Sequence, residues 1–155
     1  MINTRVLKVK TRVLIVNDNT AELDSLVNGL EIEGFHVVGT TSPTEALNTL
    51  ATTHFHVVLI DLMITDMNGL QLARQIREDH PLVSTMLMSD YLLSPVQLAK
   101  ADTGAIGFVP MPCRFEEIAA FIKEKTAKTK NKGETNRSIV PAHSPFDVLT
   151  VRYSY

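Results

Sequence analysis

The sequence is short of several things, and each shortage narrows its reading. It has one cysteine, Cys113, among 155 residues, so no internal disulfide can form. A lone thiol fits a reducing compartment, and a cytoplasmic location is expected. No apolar run approaches the ~20 residues that a membrane-spanning helix needs. Met1–Lys10 is basic but has neither an apolar core nor a small-residue cleavage site, so it does not read as a secretory signal. Net charge is also scarce, at -2. Neither nucleic acid nor an anionic membrane is therefore an expected partner. There is no internal repeat. The dinucleotide-binding glycine motif, the Walker lysine and the nucleophile elbow are all missing, so nucleotide-binding and hydrolytic chemistry lack their signatures. His54 and His56 alternate in sequence, but no third ligand stands at zinc spacing.

What is present is a chain that is 45% hydrophobic and 21% charged, long enough for one domain with a real core. Its centre is His56-Val57-Val58-Leu59-Ile60-Asp61, an apolar run that ends in a carboxylate. Such a run, bounded by turn residues, reads as a strand covered on both faces. Arg12–Val16 is a second such strand and ends in Asn17-Asp18-Asn19. Leu23, Leu26, Val27 and Leu30 follow at helical spacing, with Gly34 as an αL cap. A short strand is expected over 35–39. Ser42-Pro43-Thr44-Glu45 starts the next helix as a capping box.

After Asp61, a loop closes at Asn68-Gly69 and a helix is predicted over 69–79. A strand over 83–88 runs into Ser89-Asp90. Ser94-Pro95 opens a short helix that Gly104 can end, and a short strand over 106–109 precedes Pro110-Met111-Pro112. Phe115, Ile118, Ala119 and Ile122 face inward from the last helix. From about Thr126, Lys128, Lys130, Lys132 and Arg137 sit among polar residues and read as a solvated linker. Residues 148–155 alternate as a strand would, and either add to a sheet edge or stay disordered.

Five strands alternating with five helices imply a doubly wound parallel sheet with helices on both faces and right-handed crossovers. Three strand ends carry oxygen: Asp18, Asp61 and Ser89. In such a sheet these ends line one edge, where ligands collect. A carboxylate pair there suits Mg²⁺, which takes hard oxygen ligands. A cation between Asp18 and Asp61 would offset their repulsion and leave Asp61 able to act as a nucleophile toward phosphorus. Taken singly, Asp61 can be a turn residue, Asp18 a helix cap, Ser89 an ordinary strand-end serine, Phe108 a core aromatic and Cys113 a small buried hydrophobe.

Val13–Asp18, Asp61–Leu70, Met88-Ser89 and Gly104–Pro112 together resemble the receiver domain of bacterial two-component response regulators, over roughly residues 10–126. The resemblance implies a flavodoxin-like (CheY-like) fold with strand order 2-1-3-4-5. It implies a receiver unit over 1–127, with 128–155 as linker and tail. Asp61 matches the phosphoacceptor, Asp18 a direct Mg²⁺ ligand, and the backbone carbonyl of Met63 the third protein ligand. Ser89 matches the switch hydroxyl and Phe108 the switch aromatic. Phosphorylation would come from a histidine kinase or phosphotransfer protein. Output would pass by protein contact through the surface of the fourth helix, fifth strand and fifth helix, and a homodimer is compatible with this.

Several positions depart from the pattern. Asn17 replaces an acid and would reach Mg²⁺ only through a water, weakening its binding. Met111 replaces a lysine, and a thioether cannot supply that charge. Thr65 replaces a proline, Asp90 a small residue and Cys113 an apolar aromatic. These departures raise an alternative, a degenerate receiver that binds partners without phosphorylation.

Overall fold

The computed structural model describes residues 9–65, 67–91, 94–134 and 147–149. In chain order the elements are β1 (Arg12–Val16), α1 (Thr20–Ile32), β2 (His36–Thr40), α2 (Pro43–Thr52), β3 (Val57–Asp61) and α3 (Gly69–Asp79). They continue with β4 (Ser84–Ser89), α4 (Pro95–Lys100), β5 (Gly107–Pro110), α5 (Phe115–Glu134) and β6 (Asp147–Val148). All strands pair in parallel, in the order β2-β1-β3-β4-β5-β6. The expected doubly wound sheet of order 2-1-3-4-5 is thus present, and β6 extends it by one strand.

The apolar runs split between two cores because side chains alternate across a strand. Val13, Ile15, Val57, Leu59, Met86, Met88 and Val109 face one layer, where they meet Leu23, Leu26 and Leu30 of α1 and Ile118 and Ile122 of α5. Leu14, Val16, Val58, Ile60, Leu87 and Phe108 face the other, where they meet Ala46 and Leu50 of α2 and Leu72 and Ile76 of α3. β3 lies between β1 and β4, so Val57–Ile60 are fully buried and only Asp61 reaches the surface.

The local signals act much as expected. Ser42 caps α2 through Glu45 N–H, with Pro43 as the first helical residue. Glu45 does not complete the box, because the Ser42 N–H donates to Thr40 Oγ1 at 3.2 Å, and the Glu45 carboxylate accepts from that same Thr40 hydroxyl at 3.0 Å. Gly34 has φ +99 and terminates α1, with Phe35 N–H reaching back to Leu30 O.

Three further expectations need correction. The cap of α1 is Asn19, whose side chain accepts Glu22 N–H, and not Asp18. Helix α4 stops at Lys100, four residues short of Gly104. The lysine-rich stretch after Thr126 is helical as far as Glu134, since lysine, glutamate and alanine favour helix. In the tail, residues 147–149 join the sheet edge, while the remainder of the alternating stretch lies outside the described residues.

Gly69 shows how tightly the edge carrying Asp61 is built. A Cβ at this position would stand 2.5 Å from Asp61 O and 2.7 Å from Leu62 Cα, both backbone atoms. Gly69→Ala is therefore expected to cost about 1–3 kcal/mol, since the loop must shift to admit one methyl group. A urea midpoint unchanged from wild type would refute this packing.

Candidate functional site

Sheet register brings the predicted residues to one edge. Asp61 ends β3 opposite Met88, and Ser89 ends β4 opposite Pro110. Asp18 follows β1, the neighbour of β3 on the other side. Asp61 Oδ1 accepts Met63 N–H at 3.0 Å, which turns the loop back toward the strand end. Burial pushes the Asp61 carboxyl up from its ordinary value of 3.8, against the Met63 hydrogen bond, and the charges of Asp18 and Asp90 push it the same way. The strand ends therefore hold acids that repel one another, and the extra charge at Asp90 is felt at Asp61.

Two contributors were not legible in the sequence. Thr65 donates its backbone N–H to Asp18 Oδ2 at 3.0 Å, and its hydroxyl contacts the same oxygen. This ties the loop after β3 to the end of β1, and only the replacement of a proline at that position hints at it. The second is Glu22, at the third position of α1. In a capping box its carboxylate would reach back to the N–H of the cap residue. Here that N–H, from Asn19, donates to Asn17 Oδ1 at 2.9 Å. The Glu22 carboxyl is raised from its ordinary value of 4.5, first by burial and then by Asp90, Asp61 and Asp18, with Asn17 opposing. Asn17 is fully buried, and its Nδ2 meets no acceptor in hydrogen-bond geometry, though it lies near enough to favour the charged form of Glu22.

Ser89 is buried at 3% exposure, and its Oγ accepts Tyr91 N–H at 3.0 Å, holding the turn after β4. Met111 N–H donates to Ser89 O at 2.9 Å, while its side chain packs against the core beneath α1 and α5. No cation stands at this position. Met111, Glu22, Ser25 and Phe115 instead line an open cleft of about 460 Å³. Phe108 is in the core at 2% exposure. Cys113 is half-buried and pushed up to about 12, by burial and by Glu117, to whose carboxylate its thiol donates. His54 and His56 pack edge to face, and His56 Nδ1 accepts Arg12 N–H. Among the described residues no three His, Cys, Asp or Glu side chains cluster to hold a metal unaided. No helix among them is long and apolar enough to cross a membrane.

The donor chemistry at the edge is hard oxygen: two carboxylates from adjacent strand ends and the backbone of the loop after Asp61. That set fits Mg²⁺, which keeps several waters and needs few protein ligands.

A doubly wound parallel sheet with acids along its carboxyl edge defines a class of α/β domain, and the comparisons place the chain within it. The family described as response regulator receiver domain matches residues 13–123, and the chain belongs to that family. It is similar to the transcriptional regulatory protein BasR of Escherichia coli (strain K12), at 27% identity over 124 residues, covering 80% of this chain and 56% of that protein. It is also similar to the response regulator MprA of Mycobacterium bovis, at 26% identity over 122 residues, covering 79% of this chain and 53% of that one. The chain thus spans about half the length of the curated relatives it matches.

Among solved structures, a CheY-like receiver domain protein from Methanospirillum hungatei JF-1 aligns with TM-score 0.74 and 27% identity, covering 81% of this chain and 100% of that one. TrrA from Thermotoga maritima, in complex with Mg(2+)-BeF, aligns with TM-score 0.66 and 23% identity over 74% of this chain and 97% of that one.

Proposed function

We propose that this chain is a phosphorylated receiver: Asp61 accepts a phosphoryl group from a phosphohistidine on a histidine kinase or phosphotransfer protein, and a downstream protein reads the result by contact. The observation that carries this reading is the placement of Asp61 at the exposed end of an otherwise fully buried central strand, beside a second acid, in a chain of the receiver family. In the transfer, an Asp61 oxygen bonds to phosphorus as the P–N bond to the donor imidazole breaks. The donor ring, protonated on its other nitrogen, keeps the electron pair of that bond and leaves as neutral imidazole. These comparisons do not favour the phosphorylation-independent alternative.

The carboxylates of Asp18 and Asp61 and the carbonyl of Met63 would hold Mg²⁺. Bound there, it would supply positive charge against the carboxylates and the incoming dianion. The Mg(2+)-BeF complex of TrrA supports this reading. Asp18 would keep one oxygen on Thr65, leaving the other for the metal. Asn17 would take part only through a water, and its Oδ1 already holds Asn19 N–H, which weakens that contribution. Ser89 keeps its hydroxyl proton to donate to a phosphoryl oxygen, because its lone pair holds Tyr91 N–H. Phe108 would act as the aromatic that repacks between states. The proposed receiver unit is 1–127, with 128–155 appended, acting in the cytoplasm, without nucleic acid or membrane partners.

The test is a beryllofluoride titration in millimolar Mg²⁺, read by amide shifts at Asp61, Ser89 and Met111 and by melting temperature. At a hundredfold excess over Kd, binding should add about 2.7 kcal/mol, or roughly 5–10 °C. No shift and no gain would reject the reading.

A further inference from the structure

We propose that the outer edge of β5 is a strand-accepting docking site for an extended protein segment, and that residues 147–149 occupy it in cis as a displaceable cover. The inference is independent of phosphorylation at Asp61. β6 pairs with β5 through Gly107↔Asp147 and Phe108↔Val148, and Leu149 N–H donates to Phe108 O at 2.9 Å. The Leu149 side chain packs, partly buried, against the core beneath α1 and α5.

Three features make this edge a site and not merely a surface. Phe108 turns its carbonyl toward β6, whereas the next contact along, Met111 N–H, goes inward to Ser89 O. In a parallel ladder a residue's N–H points to the same side as its C=O, so both polar groups of Phe108 face the cover. Phe108 is 2% exposed, and such groups need partners when buried. Second, Pro110 ends β5 with no N–H to offer, so the ladder that can form is short and lies around Phe108. Third, the cover is only two strand residues and one further hydrogen bond. A competing segment that makes the same short ladder and seats its apolar residue more fully than the partly buried Leu149 would replace it. The ligand is therefore an extended segment running parallel to β5, with an apolar residue in the place of Leu149.

The experiment uses the full chain as wild type, Leu149→Pro and Val148→Pro. Leu149→Pro deletes the N–H that bonds Phe108. Val148→Pro removes an N–H that points away from β5, so the ladder survives. Amide exchange at Phe108 should be at least tenfold faster in Leu149→Pro and unchanged in Val148→Pro. A synthetic peptide of residues 144–155 should restore protection in Leu149→Pro and bind wild type at least tenfold more weakly. The same peptide carrying Leu149→Pro should do neither. If Leu149→Pro fails to fold, Leu149→Gly, which keeps the N–H but loses the apolar anchor, carries the same comparison.

Unchanged exchange in Leu149→Pro overturns the proposal, and so does failure of the peptide to restore protection. Equal peptide binding to wild type and variant overturns the cover. Phe108 protection that rises with wild-type concentration also overturns it, by assigning the strand to a second copy of the chain.

Discussion

Asp61→Asn is expected to abolish the beryllofluoride response and, without added metal at pH 7, to raise the melting temperature by a few degrees. Both results come from removing the same buried negative charge. Burial raises the Asp61 carboxyl, and Asp18 and Asp90 add to the effect, so folding makes the charged form of Asp61 less favourable. Asparagine keeps an Oδ1 to accept Met63 N–H, so the loop geometry survives while the charge goes. It offers no anionic oxygen to phosphorus and gives a cation a poorer ligand.

The pH dependence follows from the direction of the shift. A carboxyl whose folded value lies above its unfolded one destabilises the fold only when ionised. The penalty is absent well below 3.8, the ordinary value, grows as pH rises through the interval up to the raised value, and is complete above it. The thermal advantage of Asp61→Asn should therefore vanish near pH 3 and grow as pH rises toward 7. Saturating Mg²⁺ should reverse the order of the two proteins, since the metal stabilises wild type alone. A variant melting below wild type in metal-free buffer at pH 7 would show that the acids do not repel.

How much of this was legible depended on how local each signal is. β1 and β3 declare themselves because an uninterrupted apolar run can only be covered on both faces, and the polar residue that ends each run, Asn17 after β1 and Asp61 in β3, marks the edge. Ser42-Pro43 and Gly34 act within one helical turn, and both behave as read. The end of α4 was misplaced because Gly104, with φ +72, serves the loop beyond the helix. The contact of Thr65 with Asp18 joins residues 47 apart in sequence, and only the fold brings them together.

Glu22 was missed for a different reason. Its position favours a role in capping, and that role lapses only because Asn17 takes the cap's N–H. The same substitution that removes an acid from the end of β1 thus accompanies a carboxylate returned to the pocket from α1. The tail was ambiguous because alternation describes a strand but names no neighbour, and the neighbour is β5.

Met111→Lys is the second large effect: it should tighten beryllofluoride binding in the presence of Mg²⁺ by ten- to a hundredfold. The site gathers Asp18, Asp61, Asp90 and Glu22, and every electrostatic influence among them is repulsive. A lysine stem at this position can lie along the apolar wall that Met111 now covers, with its ammonium at the cleft that Glu22 lines. A unit charge about 5 Å from a bound anion, at an effective dielectric near 20, is worth roughly 3 kcal/mol, and solvent at the cleft removes about half of it.

The gain should be confined to the anion complex. Mg²⁺ alone is repelled by the new ammonium, so its own affinity should stay level or fall while that of the fluoride complex rises. Met111→Gln, polar but neutral, should give no gain, and 0.5 M NaCl should shrink the lysine effect. If Met111→Lys tightens Mg²⁺ and the fluoride complex equally, or neither, then the missing charge is not what limits this site. The cause would then lie in Thr65, whose hold on Asp18 a metal must share.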